Sequence, residues 1–107
     1  MTSFGHFIRK EREKCELTQT EFGAKIGINT SAISRIENGS QKFSKRKLRK
    51  LSELFGIEEQ IIRDLFFADK FAREAYKNQC SSSIFAVAEE TANYIRSANS
   101  KQGKMKF

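Results

Sequence analysis

The sequence predicts an all-α chain, and three observations predict it. Apolar residues recur at three- and four-residue spacing, as in Ile33 and Ile36 or Leu48, Leu51 and Phe55, which is the period of a helix with one buried face. Helix-capping residues open these patterns at Ser3, Thr18, Asn29 and Ser44, and glycines close them at 27, 39 and 56. Nothing in the chain calls for a strand, and no internal repeat is present.

The first helix is expected over 3–15, capped by Ser3, with Phe4, Phe7 or Ile8 and Cys15 facing inward. The second covers 18–26. Thr18 and Glu21 form a capping box, in which each side chain satisfies the other's backbone N–H, and Leu17 and Phe22 flank it as a hydrophobic staple. Gly23 or Ala24 supplies its inner face with Ile26, and Gly27 permits the positive φ of a sharp turn. The third helix, 29–38, is capped by Asn29, buries Ile33 and Ile36 and stops at Asn38-Gly39. Around those isoleucines stand Thr30, Ser31, Ser34 and Arg35. One packing face and one face of short polar residues with a single arginine suit a helix that reads base edges in a DNA major groove.

Ser44 opens a fourth helix, 44–55, which buries Leu48, Leu51 and Phe55 and ends at Gly56. A fifth, 58–77, sets Ile61, Leu65, Ala68, Ala72 and Ala75 on one line, with Ile62, Phe66 and Phe71 beside it. Residues 78–83 are a polar break. A sixth, 82–97, carries Ile84, Ala88, Thr91 and Ile95 on one stripe, and 101–107 form a basic tail expected to fray.

Composition narrows the function. At 107 residues, 38% apolar and 31% charged, the chain reads as one soluble domain, or one domain plus a helical appendage. No apolar run approaches the roughly 18 residues of a membrane span, and no signal-peptide core opens the chain, so the cytoplasm is expected. His6 is the only histidine, and Cys15 and Cys80 stand far apart, so neither a metal nor another cofactor is expected and the cysteines read as reduced and structural. No catalytic set of residues and no glycine-rich phosphate loop occurs, which argues against an enzyme. Charge is uneven: residues 1–57 carry 12 Lys/Arg against 6 Asp/Glu, and 58–107 carry 8 against 7. Lys42, Lys45, Arg46, Lys47, Arg49 and Lys50 crowd together just after the third helix, where the phosphates of a bound duplex would pass.

The run from Leu17 to Gly39 resembles the helix-turn-helix of the Xre/Cro-type regulators. The matching residues are Leu17-Thr18-Gln19, Gly27, Ile33-Ser34, Ile36-Glu37 and Gly39, then Leu48, Leu51 and Phe55-Gly56-Ile57. The resemblance covers roughly 4–66 and implies a five-helix repressor-like domain. It also implies roles. Thr30, Ser31 and Arg35 would contact bases, and Gln19, Ser34, Asn38, Lys42 and Lys45 the DNA backbone. Arg12 and Glu37 would form a buried ion pair. One departure stands out: the family has a proline soon after the recognition helix, and this chain has Phe43-Ser44 near that place and no proline anywhere. The loop is therefore expected to run differently.

The apolar face of the fifth helix is too wide for a small five-helix core. Either the sixth helix folds back over it, or helices five and six build a two-fold dimer interface from Phe66, Phe67, Phe71, Tyr76, Ile84 and Phe85; the second is expected. Residues 1–66 would then be the DNA-binding domain and 67–107 a C-terminal helical dimerisation extension. About 50 extra residues leave no room for a small-molecule domain. The resemblance thus implies a sequence-specific dimeric transcriptional regulator on a palindromic operator, autoregulatory, and akin to the controller proteins of restriction–modification systems. The competing readings are a phage-type repressor and the antitoxin, or protein-interaction module, of a toxin–antitoxin pair.

Overall fold

A computed structural model describes residues 3–102, with side chains through residue 100. Six α-helices run in order: α1 (Phe4–Lys14), α2 (Gln19–Ile26), α3 (Thr30–Asn38), α4 (Leu48–Phe55), α5 (Glu59–Lys77) and α6 (Ile84–Gln102), with a 3₁₀ turn at Lys45–Lys47 before α4. No strand occurs among the described residues. The fold is all-α. The chain divides into two compact units between Lys70 and Phe71.

The first unit is organised by local signals that close each helix end. Ser3, Thr18 and Asn29 accept bonds from backbone N–H groups of the first turns of α1, α2 and α3. At Thr18 the capping box is complete: Glu21 N–H donates to Thr18 Oγ1 at 3.0 Å, and Thr18 N–H donates to Glu21 Oε1 at 2.8 Å. These groups would otherwise lack intrahelical partners. Gly27 adopts the left-handed conformation, φ 79°, and turns the chain from α2 towards α3. Close approach matters as much as the turn itself. A Cβ on Gly23 would lie 2.3 Å from the Ile28 carbonyl oxygen, and one on Gly5 would lie 2.2 Å from that of Ile36. Glycine at these two places lets α2 fold onto the turn and α1 onto α3.

Ten buried residues fill the core: Phe4, Ile8, Phe22, Ile26, Ile33, Ile36, Phe43, Leu48, Leu51 and Ile62. Phe43 anchors the loop after α3, which holds no proline. Its ring is buried with its centroid 5.8 Å from that of Phe4. Phe22 stacks on Phe55 at 5.6 Å with the rings 6° from parallel. Asp69 near the end of this unit accepts a 2.8 Å bond from the Phe4 N–H, so α5 supplies an acceptor to the first turn of α1.

Several expectations are corrected here. Cys15 is exposed, because the chain leaves α1 through a left-handed residue at Glu16, φ 57°, and turns away. Gly23, not Ala24, lies on the inner face of α2. Ser44 makes no side-chain cap; the 3₁₀ turn intervenes, and α4 begins four residues later than the pattern suggested. On α5 the deepest residue is Ile62, fully buried, while Ile61 is 49% exposed and Ala68 is exposed. Phe66, expected at an interface, is half-buried and also packs against the core, its ring edge-on to Phe4 at 5.3 Å.

The second unit is a helical hairpin built from the end of α5 and from α6. A bond from Cys80 N–H to the Ala75 carbonyl at 3.0 Å and one from Gln79 N–H to Tyr76 at 3.0 Å close α5 around left-handed Gln79. Ala75 is buried, Ile84 is half-buried, and Phe71 meets Phe85 edge-to-face at 5.6 Å. Ala72, expected on the same inner line, is exposed. α6 starts two residues later than the pattern predicted and runs through 102, into the first two residues of the expected tail; the rest of the tail lies outside the described residues.

Candidate nucleic-acid interface

α3 presents two different faces because its apolar residues fall three apart. Ala32, Ile33 and Ile36 are buried, whereas Thr30, Ser31, Ser34 and Arg35 are exposed. The cap fixes its start: Asn29 Oδ1 accepts from Ala32 N–H at 2.8 Å. Thr30 is further tied to α2 through its hydroxyl, 3.1 Å from that of Thr20.

The axial position of α3 is held from behind by a buried charge pair. Arg12 donates from Nε to Glu37 Oε2 at 2.6 Å and from Nη2 to Oε1 at 3.0 Å, a two-pronged contact. Its third donor, Nη1, reaches the Leu17 carbonyl at 2.8 Å. The Glu37 side chain is only 4% exposed. The bond to Glu37 holds the Arg12 guanidinium above its ordinary pKa against the opposing effect of burial. Gln19, half-buried at the start of α2, adds a 3.1 Å bond from Nε2 to Glu37 Oε1. One carboxylate therefore ties α1, α2 and α3 together. At the same end of α2, the bond from the Thr18 backbone, followed by that from its hydroxyl, holds the Glu21 carboxyl below its ordinary value.

Behind α3 the loop is also bonded in place. Asn38 Oδ1 accepts from the N–H of Ser40 at 3.0 Å and from its hydroxyl at 2.7 Å. Arg35 donates from Nε to Gln41 Oε1 at 2.8 Å. Lys42, Lys45, Arg46 and Lys50 are exposed, and none of them forms an ion pair among the described residues. The other two cations of this run are engaged within the fold. Lys47 Nζ donates to the Ile26 carbonyl at 3.0 Å and so closes the C-terminal end of α2, and Arg49 bonds Glu59 at 3.4 Å.

Gln41, Thr20 and Lys47 have roles that the sequence reading missed. No periodicity connects Arg35 to a residue six positions away across a glycine turn, and a lysine within a basic run carries no mark of a capping role. Among the described residues of the second unit, the exposed large apolar side chains are Phe71, Tyr76, Phe85, Val87 and Tyr94, with Tyr76 87% and Tyr94 72% exposed. Phe67 is exposed in the first unit. No cluster of metal ligands occurs among the described residues, and no described helix is long and apolar enough to cross a membrane.

The chain is similar to known proteins. Residues 8–62 match the family described as Helix-turn-helix. The HTH-type transcriptional repressor RghR of Bacillus subtilis (strain 168) is 30% identical over 105 residues, covering 94% of this chain and 78% of that protein. Control protein C.MunI of Mycoplasma sp is 40% identical over 55 residues, half of this chain and 74% of that protein. Among solved structures, the P22 c2 repressor in complex with a synthetic operator superposes with a TM-score of 0.52 at 24% identity, over 58% of this chain and 94% of that one. A SinR protein/SinI protein complex does so with a TM-score of 0.50 at 21% identity, over 88% of this chain and 98% of that one.

Proposed function

We propose that this chain, which belongs to the Xre/Cro-type helix-turn-helix family of DNA-binding transcriptional regulators, works as a homodimer on a palindromic operator in the cytoplasm and represses its own promoter. The observation that carries the reading is the two-faced α3: three buried apolar residues on one side, and Thr30, Ser31 and Arg35 presented outward on the other. In this reading Arg35 takes guanine O6 and N7 with two donors, and Thr30 and Ser31 read neighbouring bases. Gln19, Ser34, Asn38, Lys42 and Lys45 hold the sugar-phosphate backbone and set the register. No small molecule takes part; occupancy follows the protein's own concentration.

The dimer is supported by the second unit, where aromatic and branched side chains stand exposed on a short hairpin, an arrangement that a second copy would cover. The likeness to RghR, a repressor, extends over nearly the whole chain, and this favours repression. A controller of restriction–modification genes is the second reading, favoured by 40% identity to C.MunI over 55 residues. Pairing of the hairpin with a different protein has one support: the SinR protein/SinI protein neighbour, matched over 88% of this chain, is itself a complex of two proteins.

The test is a titration of wild type and Arg35→Ala against operator, single-base-changed and random duplexes at fixed salt. A loss of roughly 1–3 kcal/mol confined to the operator is expected. Equal loss on all three would reduce Arg35 to a phosphate contact and remove the base-reading role assigned to it.

A further inference from the structure

We infer that Gln41, in the loop behind α3, is a positioning residue that sets how strictly Arg35 discriminates between bases. The inference rests on the reading that Arg35 grips a base. Gln41 touches Arg35 at both ends. Its Oε1 accepts from Arg35 Nε at 2.8 Å, and its backbone N–H donates to the Arg35 carbonyl at 3.2 Å, beside the Ser40 N–H at 2.9 Å. The loop that carries it has little freedom of its own. Asn38 Oδ1 holds Ser40 by two bonds, Gly39 reverses the chain at φ 89°, and two residues beyond Gln41 the ring of Phe43 is buried against Phe4. The backbone from which the Gln41 side chain reaches Arg35 is thus fixed relative to the helix that carries Arg35.

A guanidinium has five N–H donors in a planar fork. With Nε bonded sideways to Gln41, the two terminal nitrogens keep their donors for a bidentate contact, and the plane of the fork is set before DNA arrives. Two consequences follow. Less side-chain freedom remains to be lost on binding. A tethered arginine is also less free to swing to a phosphate, and phosphates are present beside every sequence. The tether therefore acts on discrimination more than on affinity for DNA in general.

The probe is a duplex that the wild-type protein itself selects from a random-sequence pool, together with its single-base variants and an unselected duplex. Wild type, Gln41→Ala, Arg35→Ala and the double variant are titrated at one salt concentration, and Gln41→Asn, whose shorter side chain keeps the amide but moves the acceptor, is run alongside. Gln41→Ala should lower the preference for the selected base at the position read by Arg35 by roughly 2- to 12-fold, the scale of a single hydrogen bond. Affinity for the unselected duplex should not fall below the wild-type value, Gln41→Asn should follow Gln41→Ala, and neither should shift the melting midpoint. In the Arg35→Ala background, Gln41→Ala should add nothing. An unchanged preference, or an equal loss in both backgrounds, overturns the inference, the latter making Gln41 a DNA contact in its own right. If Arg35→Ala alone loses evenly on all duplexes, the base-reading role fails and the tether with it. A selective Arg35→Ala beside a silent Gln41→Ala rejects the tether alone.

Discussion

Replacing Arg12 by alanine should cripple the DNA-reading unit without touching its outer face. The variant loses three donors, two to Glu37 at 2.6 and 3.0 Å and one to the Leu17 carbonyl at 2.8 Å. The carboxylate left behind is 4% exposed, with Gln19 as its remaining hydrogen-bond partner. Breaking a buried pair on one side costs about 3–5 kcal/mol, because an uncompensated charge stays out of water. That is a large part of the roughly 5–15 kcal/mol that stabilises a domain. For a unit of this size, each kcal/mol moves the midpoint by about 4–8 °C, so thermal melts followed by circular dichroism should fall by roughly 12–40 °C. The paired replacement Arg12→Met with Glu37→Leu should recover most of that loss, since apolar residues of similar volume often match a buried pair. Operator binding by the paired variant, measured where it is folded, should persist. A loss under about 1 kcal/mol for Arg12→Ala would mean that water screens the pair, as it does at a surface, and the reasoning from burial would fail.

Three further outcomes are expected. Sedimentation at micromolar concentration should give a mass near twice 12.3 kDa, and Phe85→Asp or Tyr94→Asp should halve it; a monomeric wild type would remove the dimer. Lys42→Ala and Lys45→Ala should each weaken binding to all duplexes alike and lower the slope of log affinity against log salt by about 0.9 for each phosphate no longer neutralised, whereas Lys47→Ala should lower the melting midpoint through the open end of α2 and leave the slope alone. A slope unchanged in the first two variants would detach them from phosphate. Because the folded Glu21 and Glu59 carboxyls sit below their ordinary value of 4.5, the stability they contribute is present above that pH and is lost as pH falls through their folded values. The melting midpoint of Glu21→Gln should accordingly fall less steeply below pH 4.5 than that of wild type, and an equally steep fall would deny the capping box a role in acid stability.

Helix starts were legible where the signal is local. Thr18 and Glu21 form their box within four residues, and Asn29 needs only the N–H groups that follow it, so tertiary packing has little to add. The outward line of α3 was legible for a similar reason, since Ile33 and Ile36 define one face and leave the polar residues on the other. The rotation of α5 was not legible. Ile61 and Ile62 are neighbours of equal hydrophobicity, and only the packing of the whole unit selects Ile62 for the core. Phe66 shows the same limit: an aromatic residue near a wide apolar face looks free until Phe4 is found beside it. Ser44 had the composition of a cap, but burial of Phe43 sets the entry of the chain, and a 3₁₀ turn follows. Gln41 left no trace at all, because its partnership with Arg35 depends on a loop conformation that no spacing rule encodes.

Both tyrosines lie in the second unit, whereas most of the phenylalanines lie in the first. Phe4, Phe7, Phe22, Phe43, Phe55 and Phe66 form or border the core of the first, the chain has no tryptophan, and both tyrosines, Tyr76 and Tyr94, stand exposed on the second. Tyrosine emission therefore arises from the hairpin alone. Its anisotropy and its quenching by iodide follow whatever covers that hairpin and carry no direct signal from the reading helix. The fine structure of phenylalanine in near-ultraviolet dichroism comes mainly from the other unit and reports its packing. Self-association and melting of the DNA-reading core can be followed separately in one unlabelled sample.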